Sequence, residues 1–143
     1  MRLLISALTI LTLTTSTLYG QGVKKCDGAI LLSTSEKIGT LTKKEITDFL
    51  LTFGEECQNN AEYSEWSNEL LFFLLDKQTE LTLKTIKKEE KKIEINQILK
   101  ELSEPIRDTP NLKELITKIE KTKIKGQLTD EIIKRLKTAD EKY

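Results

Sequence analysis

The chain carries 23 basic and 23 acidic residues in 143, with no histidine and only two cysteines. That is one domain's worth of material, and its balanced charge gives no general attraction to nucleic acid or to an anionic membrane. The missing histidine excludes Ser-His-Asp and Cys-His nucleophile systems and every imidazole metal site.

Residues 1–20 read as a cleavable signal peptide. Arg2 supplies the positive start, Leu3, Leu4, Ile5, Leu8, Ile10, Leu11 and Leu13 an apolar stretch, and Gly20 a small residue before the cut. The stretch is shorter than the roughly 20 residues of a bilayer-spanning helix, and threonines dilute it. Cys26 follows Val23, Lys24 and Lys25, which is not the small-residue context of an acylated cysteine. The expectation is an exported product, periplasmic or secreted, with no stable membrane insertion after cleavage. An even cysteine count in an exported chain then predicts a Cys26–Cys57 disulfide.

Segment 21–41 is expected to be a lead-in tethered by that disulfide, and 42–143 the helical domain. Within the lead-in, Ile30, Leu31 and Ile38 can line a helix capped by Asp27 and stopped by Gly39; a loose connection is the alternative. Thr42-Lys43-Lys44-Glu45 fits a capping box, with Leu41 and Ile46 placed as a hydrophobic staple. Ile46, Phe49, Leu50, Phe53 and Cys57 recur at helical spacing, which puts Cys57 on the buried face, while Gly54 either stops this helix or weakens it by about 1 kcal/mol relative to alanine. Asn59 or Asn60 caps the next helix, which runs to about Leu75. Tyr63, Trp66, Leu70 and Phe73 form its core stripe, and the all-round apolar run Leu70 to Leu75 marks a central helix.

Residues 79–87 alternate as a strand would at Leu81 and Leu83, but Lys- and Glu-rich flanks without a turn favour helix. Ile95, Ile98, Leu99 and Leu102 form a face that ends before Pro105. Thr109 as cap and Pro110 at the first position are expected to start a helix with Leu112, Leu115, Ile116 and Ile119 inside. Gly126 breaks it, and Thr129 is expected to cap the last helix, with Ile132, Ile133 and Leu136 buried. The fold class is therefore all-α: five or six short antiparallel helices in a small bundle or a short solenoid. The latter is loosely similar to HEAT-like arrays, a likeness without a repeat signature that carries no function.

Little in the chain offers chemistry. The cysteines lie too far apart for a CxxC redox motif. The glycines are scattered, so there is no phosphate loop, and no calcium-loop signature occurs. No enzyme, cofactor or metal is predicted. The lysines of 84–92 and 118–125 are interleaved with acids and lack aromatic partners, which argues against nucleic-acid binding. Charge distribution is more telling. Residues 21–80 hold 6 basic and 11 acidic side chains, and residues 81–143 hold 16 and 12. Glu62, Glu65 and Glu69 share one helix face by their spacing of three and four. With Tyr63 and Trp66 at the margin they are the candidate surface for an unidentified protein partner. The functional expectation is a protein-binding or inhibitory, immunity-type module, with a structural or assembly component of the envelope as the alternative.

Overall fold

The computed structural model describes residues 22–106 and 109–142. The expected leader, residues 1–20, lies outside them. Seven α-helices are present among the described residues, in place of the five or six expected: α1 Gly28–Glu36, α2 Lys43–Leu51, α3 Ala61–Lys77, α4 Thr79–Glu89, α5 Ile95–Ser103, α6 Leu112–Lys121 and α7 Gln127–Lys142. A 3-10 helix, Glu55–Asn59, separates α2 from α3. Residues 79–87 are helical, so the alternation of Leu81 and Leu83 yields to the helical preference of their flanks. Leu83 and Ile86 are inside, and Lys84, Lys87 and Lys88 are outside.

The lead-in is more ordered than a tether. Asp27 caps α1 by accepting from the Ala29 amide at 3.0 Å. The chain leaves through Gly39 at φ 92°, a left-handed conformation that costs a residue with a Cβ. The Cys26–Cys57 disulfide is present, with Cα atoms 5.4 Å apart. Its second cysteine does not sit on α2, because that helix ends at Leu51. Gly54 opens the 3-10 helix in extended backbone, and this new element buries Cys57. Of the two roles open to Gly54, stop or weak point, the structure has the break, and Cys57 reaches its expected burial on the element that follows.

The start of α2 follows its capping signal. The Thr42 hydroxyl oxygen accepts from the Glu45 amide at 3.3 Å, while Glu45 Oε2 accepts from the Thr42 amide at 2.8 Å. Lys37 then donates to Glu45 Oε1 at 2.6 Å. The Lys37 hydrogen bond foremost, with those from Thr42, holds the Glu45 carboxyl at a pKa of about 2. A depressed carboxyl pKa stabilises the fold fully above the ordinary glutamate range and loses that contribution as pH falls toward about 2. Carboxyl-carbon NMR titration should place Glu45 below every unpaired glutamate, and Lys37→Ala should raise it. An ordinary Glu45 titration would refute the arrangement.

Two other caps depart from expectation. Asn111, not Thr109, caps α6 by accepting from the Glu114 amide at 3.1 Å, so the helix begins after Pro110. An asparagine side chain outcompetes the proline start because it satisfies an otherwise orphaned amide. The last helix begins at Gln127, immediately after Gly126 at φ 128°. Thr129 is therefore a buried residue in its first turn and not its cap.

α3 is the hub. It packs against α1, α4, α5 and α6, while α2 packs on α4 and α7 on α5 and α6. Most of these contacts join helices one or two apart in chain order, and α3 also reaches α6. The helices form a small bundle. Leu70, Leu71, Phe72, Leu74 and Leu75 are all buried, as the apolar run predicted. Beside them lie Leu31, Ile46, Phe49, Leu50, Ile98, Leu102, Leu115 and Leu136. Phe49 and Phe53 meet edge to face at 5.2 Å, an arrangement aromatic quadrupoles favour. Gln78, between α3 and α4, donates to the Leu41 carbonyl at 2.8 Å and accepts from the Leu41 amide at 2.9 Å. This pair of bonds fixes the entry of α2 against the end of α3. No helix among the described residues is long and apolar enough to cross a membrane.

Candidate functional site

Asn60 sets the register of the face in question. Its side chain accepts from the Tyr63 amide at 3.1 Å and starts α3 there. From this start the helical period turns Tyr63 inward and Glu62, Glu65 and Glu69 outward. Tyr63 is 5 % exposed and its hydroxyl donates to the Thr52 carbonyl at 3.4 Å. Burial pushes its phenol above the ordinary value, with the Thr52 bond opposing. Tyr63 is therefore a core residue and leaves the candidate surface.

Trp66 does not. Glu62, Glu65, Trp66 and Glu69 together line a shallow cleft of 210 Å³. The structure sets Trp66 beside these glutamates, at the margin of the acidic face. Trp66 and Glu69 also border a second cleft of 330 Å³, whose other walls are Ser35, Ile38, Leu70, Phe73 and Lys77. This is an apolar groove between α3 and the end of α1, and it adjoins the acidic cleft through the Trp66 ring. Leu32, 53 % exposed, stands one turn before Ser35 on α1 and adds apolar surface nearby.

Several acids elsewhere on the surface meet lysines or arginine: Asp48 with Lys44 at 2.5 Å, Glu89 with Lys92 at 2.8 Å, Glu120 with Lys137 at 3.2 Å, Glu131 with Arg135 at 2.7 Å. At the far end of α3, Lys118 and Lys77 both hold Asp76. Burial raises the Asp76 carboxyl, and the two lysines more than offset it, so its pKa is lowered. Glu62 and Glu69 have no ion pair among the described residues, while Glu65 has a partner within the chain.

Two other places could hold function. A cleft of 540 Å³ lies among α4, α5 and the start of α7, with Lys87, Lys125 and Arg135 on its walls. Those cations are already used: Lys87 donates to the Lys125 carbonyl, Lys125 to the Glu120 carbonyl, and Arg135 to Glu131. The second is a buried polar cluster. Glu101, 4 % exposed, accepts at Oε1 from Gln58 and Gln97 and at Oε2 from Asn68, each at 2.7 Å. With no reacting group facing a cleft, this cluster joins α3, α5 and the 3-10 helix. Among the described residues no group of three or more His, Cys, Asp or Glu is arranged to hold a metal ion.

No protein-family model, curated protein or solved structure matches this chain. The α1–α3 face is accordingly judged on its own geometry. Ile38, Leu70 and Phe73 were missed as site residues, because the Trp66–Phe73 stripe reads as core from periodicity alone. The signal that could have found them is the spacing of seven between Trp66 and Phe73, next to unneutralised glutamates at 62 and 69.

Proposed function

We propose that the protein is an exported, non-enzymatic protein-binding module of the inhibitory or immunity type, and that it engages its partner through the α1–α3 face. The observation that supports this reading is the adjacency of the Ile38–Trp66–Phe73 groove to the carboxylates of Glu62 and Glu69, which have no ion pair among the described residues. An aromatic anchor beside charged rim groups is the composition that concentrates binding energy at protein interfaces. Export is supported by the leader-like residues 1–20 and by a disulfide, which persists in oxidising compartments.

A photo-crosslinking residue at position 73, compared with one at exposed Lys134 on α7, tests the surface in the producing cell. A discrete adduct from position 73 alone is the expected result. Adducts from position 134 alone, equal adducts from both, or none from either would discard the α1–α3 face. Intact mass of the natively produced protein tests export. Loss of about 20 N-terminal residues is expected, and a full-length or acylated product would overturn it.

A further inference from the structure

Resting on that reading of the α1–α3 face, we infer that its occupant is a cationic amphipathic helix. The groove is mainly apolar, walled by Ile38, Leu70 and Phe73 with Trp66 at its rim and Ser35, Glu69 and Lys77 completing it. An apolar groove on a helical bundle accepts the apolar stripe of another helix, read at every third or fourth residue. From Glu62 to Phe73 the face runs along α3 for ~16 Å at 1.5 Å per residue, so it matches about three turns of partner helix.

Charge selects which helix. On one side of the Trp66 ring lie Glu62 and Glu69, without ion pairs among the described residues. The opposite end carries Lys77, which lines the groove beside Phe73. A helix with lysines or arginines along its acidic-side margin places them over the two carboxylates. An acidic helix would instead bring like charges together, which costs several kcal/mol at an interface and so rejects it. The same carboxylates repel an anionic membrane surface or a nucleic-acid backbone.

The chain contains a single tryptophan, so its own fluorescence reports on this groove. The folded, oxidised protein is titrated with three peptides of about 14 residues, none containing an aromatic residue. The first is a Leu/Lys peptide with leucines on one helical face. The second replaces its lysines by glutamates, and the third shuffles the first so that neither face is apolar. A saturable blue shift of Trp66 emission is expected with the first peptide only. It should weaken roughly tenfold in Glu62→Lys/Glu69→Lys, and several-fold between about 0.02 and about 0.3 M salt. Both substitutions are at residues without ion pairs, and a preserved thermal melt certifies the fold. A shift of equal affinity with the Leu/Glu peptide overturns the charge rule, and one with the shuffled peptide overturns the helical rule. Silence with all three overturns the inference. An in-cell adduct through position 73 combined with such silence retains the surface as an interface and removes the cationic helix from it.

Discussion

Asn68→Ala is expected to destabilise the protein by about 3 kcal/mol, read as a lower urea midpoint at unchanged slope. Asn68 is 0 % exposed. Its Nδ2 donates to Glu101 Oε2 at 2.7 Å and to the carbonyls of Glu101 and Glu104 at 3.2 Å, while its Oδ1 accepts from the Ile106 amide at 3.2 Å. Alanine removes one of three amide donors from a buried carboxylate. A hydrogen bond to a charged group contributes roughly 1.5–3 kcal/mol, and the vacated volume adds a packing loss. Asn68→Asp keeps the shape but sets a second carboxylate against Glu101, so at neutral pH it should be worse than alanine. A loss under about 0.5 kcal/mol for alanine, the range of ordinary surface changes, would show that the network contributes nothing.

Removing the disulfide is expected to have a comparable effect. The cysteines are 31 positions apart, and chain-entropy arguments give a bridge across such a loop about 3–4 kcal/mol. For a domain of this size that corresponds to a fall of roughly 10 °C or more in melting temperature. Cys26→Ala/Cys57→Ala should show it. A second pair refines the test, because Cys26 holds φ 57° while its amide donates to the Thr52 carbonyl at 2.9 Å. Left-handed backbone costs a residue with a Cβ about 1 kcal/mol or more, which glycine avoids. Cys26→Gly/Cys57→Ala should therefore recover about 1 kcal/mol relative to the alanine pair. Equal stability of the two pairs would mean that the bridge alone imposed the left-handed conformation.

Signals that act within one turn were legible in the sequence. The Thr42–Glu45 capping box, the Asp27 cap and Asn60, one of the two caps the sequence offers for α3, appear as the residues predict, because each closes on a neighbour two or three positions away. The apolar run Leu70 to Leu75 identified the central helix for a related reason: a helix that is apolar all round must be covered all round. Misreadings occurred where two local signals competed, as at Thr109–Pro110 against Asn111, while Gly54 stayed open between stop and weak point because a single glycine is compatible with either. The candidate face was half legible. Spacing grouped Glu62, Glu65 and Glu69, but the cover that the Thr52 segment gives Tyr63 and the margin left to Trp66 beside the end of α1 depend on where distant segments come to rest against α3. Nothing local encodes that placement. The same holds for Glu101 with Asn68, a contact across 33 positions.

The position of α3 in the middle of the chain bears on the order in which the protein can fold. A chain emerging from its N-terminus completes α1, α2, the Cys26–Cys57 loop and α3 while α5, α6 and α7 are still to come. Domains generally form as units in this direction. At that stage the side of α3 that later contacts α5 and α6 lies uncovered, including part of its Leu70 to Leu75 run. Such a stage is the interval of greatest aggregation risk, and it closes only when the last third of the chain arrives. The residues that shorten it are those of α5, α6 and α7 that seal the hub, Ile98, Leu102, Leu115 and Leu136. Truncations there would lower the yield from the nascent chain as well as the equilibrium stability, by about 2–5 kcal/mol for a large apolar side chain cut to alanine.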